Sequence, residues 1–215
     1  MKPSVFSIFT IFFLSCVNNN VRTNPNTSPE AIREAIRERP EAIFHKKLKA
    51  RADTLKAFCA NGKYSANAAI LVDMSIHSGK KRMFVWDFAQ DTIMWSGLCC
   101  HGYGKGSTEE KIVFSNEPGS YCSSLGRYKI GIRSYSKWGI HVHYKLHGLD
   151  ATNSNAYNRQ VVLHSHSYVD DSEIYPSHLL LGYSQGCPVI SDNLMTKIDS
   201  LLKQADKPLI LWIYQ

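Results

Sequence analysis

No stretch of this sequence is long and apolar enough to cross a bilayer. The best candidate, Val5 to Leu14, is uncharged but about half the length that a spanning helix of ~20 residues needs. A dense basic block is also missing. The 25 Lys and Arg are scattered among 18 Asp and Glu, so a formal charge of +7 lacks the clustering that nucleic-acid binding requires, and nucleic acid is not an expected partner. Between the short β-type runs that begin at Asn67 there is no helical segment of crossover length, which argues against a doubly wound parallel sheet. No internal repeat is visible, so one domain is expected. Carboxylates are lacking at ligand spacing from the two His-x-His pairs, His141-Val142-His143 and His164-Ser165-His166, so neither metal nor cofactor is expected.

What is present starts with an export pattern. Met1-Lys2-Pro3 precedes the apolar Val5 to Leu14, and Ser15-Cys16 precedes the polar Asn18-Asn19-Asn20, the layout of a secretory signal. Leu14-Ser15-Cys16 is similar to a bacterial lipobox, whose cysteine is lipidated and becomes the new N-terminus, although Phe13 stands where that pattern usually has Leu. The expectation is an exported, periplasmic or cell-envelope protein held to the membrane through lipidated Cys16, with ordinary signal cleavage as the alternative. An exported chain lies in a disulfide-permissive compartment. With Cys16 consumed, Cys59, Cys99, Cys100, Cys122 and Cys187 remain, an odd number that leaves at least one free thiol. Adjacent Cys99 and Cys100 point to opposite strand faces and make poor partners, while either could pair with Cys122. A moderately basic chain in this compartment suits an anionic wall polymer or a membrane surface, or reflects solubility alone.

The signal occupies 1–16, and a linker with N-terminal helices fills 17–62. Ser28-Pro29-Glu30 opens a helix that Pro40 should end; a second runs from Glu41 to Ala60 and stops at Asn61-Gly62. From 63 to 215 the texture is mainly β, with runs at Ala69–Ile76, Met83–Phe88, Ile93–Cys99, Tyr128–Arg133, Ile140–Leu146 and Gln160–His164. A helix from Ser191 through Leu202 and a closing strand, Leu209–Tyr214, complete a β-sandwich or barrel with flanking helices.

The chemistry concentrates in Ser184-Gln185-Gly186-Cys187-Pro188, which follows the apolar run ending at His164-Ser165-His166. A thiol near its ordinary pKa of about 8.5 needs a base or cation nearby to become a nucleophile, and His164 or His166 would supply the base. Gly186 permits a tight corner, and Pro188 biases Cys187 toward extended backbone. Successive N–H groups at such a corner, those of Gln185 and Gly186, suit an oxyanion hole. His166 shares a strand face with His164 and would orient the site, bind substrate or merely end the strand. Ser120, Ser123, Ser124 and Gly126 line the cleft or form a surface turn. Arg159 contacts a substrate carboxylate or solvates an edge.

From about Met83 to Val189 these residues resemble the murein L,D-transpeptidase catalytic domains, the YkuD-like cysteine enzymes of bacterial peptidoglycan. The resemblance lies in ordered segments: Phe84-Val85-Trp86-Asp87-Phe88, Gly97 to Gly102, Phe114 to Ser120, Ser123-Ser124-Leu125-Gly126, Leu146-His147-Gly148-Leu149-Asp150, Asn158 to His164, and Ser184 to Pro188. It implies a mainly β catalytic domain that transfers acyl groups from peptidoglycan stem peptides through a thioacyl-enzyme, with Cys187 as nucleophile and His164 as base. Ser184, Ser124, Arg159 and His166 are then the expected substrate-binding residues. Gln185 stands where the wider family has His, so it cannot be the base. The 23-residue separation of His164 from Cys187 is slightly long, which implies an enlarged loop between Tyr168 and Leu180. Two other readings stay open: a hydrolytic L,D-carboxypeptidase or endopeptidase, and a non-catalytic wall-binding lipoprotein in which Cys187 is structural.

Overall fold

The structure, a computed structural model, describes residues 28–215, the side chains of 29–40 excepted. The expected signal, Cys16 and most of the linker lie outside the described residues. The described residues divide into two compact units between Ala42 and Ile43, and the site belongs to the second.

Helix α1 (Pro29–Cys59) is continuous where the sequence predicts a break at Pro40. Proline removes one backbone hydrogen bond, but Ala, Arg, Glu, Lys and Leu on either side are strong helix formers whose summed preference carries the helix through. The expected stop holds: Gly62 takes φ +76° and its N–H donates to Cys59 O at 3.1 Å.

Eight strands form one sheet: β1 (Ala68–Asp73), β2 (Met83–Asp87), β3 (Thr92–Gly97), β4 (Gly126–Tyr135), β5 (Val142–Gly148), β6 (Val162–Ser165), β7 (Val189–Ile190) and β8 (Ile210–Tyr214). Their order is β3-β2-β1-β8-β4-β5-β6-β7. The β1–β8 and β6–β7 pairs are parallel and the remaining neighbours antiparallel. Beyond β3, Cys100 bridges Val189 of β7, its N–H donating to the Val189 carbonyl at 2.8 Å. That bridge brings the two ends of the sheet together into a nearly closed, barrel-like form, mainly β with flanking helices as the sequence predicts.

Alternation along the strands builds two cores. Ile70 and Val72 of β1, Met83 and Val85 of β2, and Leu211 and Ile213 of β8 face one side. There they meet Leu194, Met195 and Ile198 of α2 (Asp192–Gln204). Ala69, Leu71, Phe84, Trp86 and Ile210 face the other side and meet Leu48, Ala52, Leu55 and Cys59 of α1. Helix α2 is capped by Ser191, whose Oγ accepts from the Leu194 N–H at 3.3 Å. The expected opposition of Cys99 and Cys100 is seen: Cys99 enters the first core, and Cys100 a small third cluster with Leu98, Val169, Leu179 and Val189. All five described cysteines are free, so the open pairing of Cys99 or Cys100 with Cys122 does not form.

Candidate active site

The parallel pairing of β6 with β7 sets the nucleophile candidate beside the base candidate. His164 lies opposite Val189, and the turn carrying Cys187 runs straight into β7. Cys187 therefore reaches back along β6, where the Val162 N–H donates to its Sγ at 3.4 Å. On the other flank of β6, His143 of β5 lies opposite His164, and Lys145 opposite Val162.

Buried hydroxyls and close backbone contacts hold the turn. Ser184 Oγ accepts from the Gly186 N–H at 3.0 Å and donates to the Cys187 carbonyl at 2.6 Å. Gly186 adopts φ +110°, and a Cβ there would sit 2.5 Å from the Cys122 carbonyl oxygen, so both conformation and space require glycine. Gly102 is its counterpart on the adjoining segment, where a Cβ would lie 2.8 Å from Gly186 N. Ser123 Oγ joins the two, accepting from the Gly102 N–H at 3.0 Å and donating to the Gly186 carbonyl at 3.4 Å.

Arg159 underpins the same platform. Its guanidinium donates to Ser115 O at 2.9 Å, to Ser120 Oγ at 3.3 Å, to Cys122 O at 2.5 Å and to Ser124 Oγ. Ser124 is buried and in turn donates to Ser115 O at 2.9 Å. Ser184 within the turn, and Ser124 and Arg159 beside it, all expected as substrate contacts, here make hydrogen bonds that hold its shape. Of the two expected oxyanion donors, Gly186 has its N–H committed to Ser184. The Gln185 and Cys187 N–H groups have no acceptor among the described residues.

Above the platform opens a cavity of about 450 Å³ lined by Cys187, Gln185, Val162, His143, His164 and His166, with Trp138, Tyr135 and Tyr183 at its walls. The His164 ring is buried, with Nδ1 3.0 Å from the Ser165 carbonyl oxygen. That contact assigns the proton to Nδ1 and leaves Nε2 as the acceptor. Burial is the main influence pulling the His164 pKa below the ordinary imidazole value; His166 and His143 add to it, and the Ser165 carbonyl opposes it. Burial likewise pushes the Cys187 thiol up, against the Val162 N–H and the cations of Arg159 and Lys145. Both partners are therefore held neutral, the state in which an imidazole removes a thiol proton as the sulfur attacks.

His166 lies beyond the end of β6 among aromatics, of which Trp138 and Tyr168 are exposed. Its ring centroid is 5.1 Å from Trp138, 5.0 Å from Tyr183 and 5.1 Å from Tyr168, and its Nδ1 accepts from the Tyr168 N–H at 3.2 Å. His141, inside the expected Ile140–Leu146 strand, instead precedes β5 with φ +60° and stacks on Tyr135, because the chain turns there. Among the described residues no three His, Cys, Asp or Glu side chains are placed to hold a metal ion.

Sequence reasoning missed Lys145, Trp138 and Tyr183, weighed His143 only as a metal ligand, and left Ser123 undecided. For Lys145 a signal existed: a lone cation at the centre of the apolar-flanked run Val142-His143-Tyr144-Lys145-Leu146. The motif glycines find their reason in tertiary contacts. A Cβ at Gly148 would fall 1.9 Å from the Asn153 carbonyl oxygen.

No curated protein matches the chain. Its fold is similar to several solved structures at low identity. Pgp2, a helical cell shape determining protein from Campylobacter jejuni, aligns at 12% identity and a TM-score of 0.44, over 69% of this chain and 47% of that one. An L,D-transpeptidase from Xylanimonas cellulosilytica aligns at 11% and 0.39, over 71% and 62%. The Ldtfm–avibactam carbamoyl enzyme aligns at 12% and 0.40, over 69% and 49%. This chain thus matches about half the length of two of these structures and somewhat more of the third. The family model for the L,D-transpeptidase catalytic domain matches residues 40–214, a span that holds both cores, the platform and the cavity, and the chain belongs to that family.

Proposed function

We propose that this protein is a cysteine-dependent L,D-transpeptidase that acts on peptidoglycan stem peptides through a thioacyl-enzyme. The observation that carries this reading is the shared cavity of Cys187 and His164, with the His164 Nδ1 occupied by Ser165 so that Nε2 is the free base. In the first half-reaction the Cys187 sulfur attacks the carbonyl carbon of an L-residue joined to a D-amino acid, while His164 Nε2 takes the thiol proton. The Gln185 and Cys187 N–H groups serve the oxyanion. The carbon–nitrogen bond then breaks, the departing amine takes the proton back from His164, and a thioester remains. A second amine attacks the thioester, gives up its proton through His164, and releases the sulfur. Water in place of the amine would yield a carboxypeptidase or endopeptidase.

The test uses a carbapenem-type acylating reagent with intact-mass detection. Wild type is expected to gain one adduct and Cys187→Ala none; equal labelling of both would remove Cys187 from the mechanism. Muropeptide analysis with wild type and Cys187→Ala separates the outcomes, new crosslinks marking amine acceptors and shortened stems marking water. Export and anchoring through Cys16 belong to the same proposal. Cys16→Ser should release the protein from the membrane fraction of a bacterial host, and unchanged fractionation with no lipid mass on Cys16 would refute the anchor.

A further inference from the structure

Lys145 is only 7% exposed, at the centre of β5, and its contacts are neutral. Nζ donates to Gln160 Oε1 at 2.7 Å and lies 4.8 Å from the centroid of the Tyr157 ring. A buried ammonium without a counterion is costly. No described carboxylate forms an ion pair with it. Its neighbour across the strands is Val162, the residue whose N–H meets Cys187 Sγ, so Lys145, Val162 and Cys187 follow one another across β5, β6 and the turn. Gln160, which anchors the ammonium, holds φ +59°, a conformation uncommon for glutamine. Such local cost is sustained where the surroundings demand it.

We propose that Lys145 is a positioning residue for acyl transfer: fixed by Gln160 beside Val162, its ammonium stabilises the negative charge on the Cys187 sulfur as the thioester forms and breaks. This rests on Cys187 being the nucleophile. The thiol proton passes to His164 Nε2, and Lys145 keeps its own proton throughout.

The charged and titratable groups around the sulfur come from every neighbouring element. They are Tyr128 and Tyr135 on β4, Lys137 just after it, His143 and Lys145 on β5, Arg159 before β6, His164 on β6, His166 just beyond it, and Tyr183 before the turn. Arg159 spends its guanidinium on the carbonyls and hydroxyls of 115–124. Burial keeps the Tyr128 phenol and the His143 and His164 rings neutral near pH 7. Lys137 is exposed to solvent and rests on the Trp138 ring, so Lys145 remains as the buried cation whose own contacts leave its charge uncompensated.

The test follows iodoacetamide alkylation of Cys187 in the purified full chain across pH, read from the Cys187 peptide by mass spectrometry. Lys145→Met should alkylate about three- to tenfold more slowly at pH 7 and move the profile to higher pH, because loss of an opposite charge raises a thiol pKa. Lys145→Arg should retain most of the rate. Gln160→Gly suits the left-handed backbone, so it should fold and show an intermediate slowing; it carries the test if Lys145→Met does not fold. Profiles for both variants that superimpose on wild type would overturn the proposal. Acyl transfer that survives in Cys187→Ala would remove the nucleophile and this role together, whereas an inactive Cys187→Ala with unchanged alkylation profiles would remove Lys145 alone.

Discussion

The sheet is built by different means at its two ends. Around β1, β2 and β8, alternate side chains enter two apolar cores, and the contacts are Leu, Ile, Val, Met and Trp meeting the faces of α1 and α2. Around β6 and β7, apolar Leu163, Val189 and Ile190 share the interior with polar side chains. Ser123, Ser124, Ser184, Lys145 and His164 are all buried there, each with a hydrogen-bond partner. The first arrangement gains free energy from area, tolerates exchange among apolar residues and has no directional requirement. The second depends on donors and acceptors meeting at the right place, and a lost partner leaves an unsatisfied group in a desolvated setting. Stability and chemistry are thereby separated along one sheet, and substitutions at the two ends should fail in different ways.

The sharpest division is expected at the histidines. His164→Ala should lower acylation per folded molecule by about 10²–10⁴-fold through loss of the base. His166→Ala should cost much less, since its ring belongs to the aromatic wall, and Gln185→His should be tolerated. Acylation rates at equal folded concentration check this; a crippled His166→Ala beside a near-normal His164→Ala would shift the catalytic register by two residues.

At the apolar end, Leu71→Ala removes a fully buried side chain of the α1 core and should destabilise by about 2–5 kcal/mol. Denaturant unfolding measures it, with the acylation rate of the remaining folded protein near wild type. Reduced acylation per folded molecule would mean that the two ends are coupled.

Ser184→Ala tests the polar end with a smaller deletion. It leaves the Gly186 N–H without its acceptor and the Cys187 carbonyl without its donor, at a cost of about 1–3 kcal/mol. Acylation should slow more than this loss of stability explains, because the released turn carries the sulfur. A rate loss no greater than that of Leu71→Ala would break the distinction.

The smallest effect concerns acid. His101 is buried behind the platform, Nδ1 accepting from Arg82 at 3.0 Å and Nε2 donating to Thr108 O at 3.0 Å. Burial, reinforced by the Arg82 charge, holds its pKa down to about 4. Between the unfolded value near 6.5 and about 4, the unfolded chain binds the proton and the native state does not. Stability is therefore lost as pH falls through that window, by up to about 1.4 kcal/mol per pH unit. Urea unfolding at pH 7 and pH 5 should show a steeper loss for wild type than for His101→Gln, and equal slopes would remove His101 as the cause.

The sequence by itself determined the β-rich architecture, most strand positions, α2, and the candidates Cys187 and His164. Apolar alternation, cap residues and the Gly-Cys-Pro turn are local patterns, set by backbone periods and sterics acting within a few residues. The helical path through Pro40 was not legible, because one unfavourable residue is outweighed by a sum over many. Tertiary structure alone decided that β1 and β8 pair in parallel across more than a hundred residues, and that two-residue β7 belongs to the sheet. It also decided that Arg159 serves the loop beneath the turn, and that Lys145 stands across Val162 from the sulfur. For the polar contacts one physical reason serves. A buried polar side chain has many acceptable partners in sequence, and only the packing of distant segments fixes which one lies within hydrogen-bonding distance.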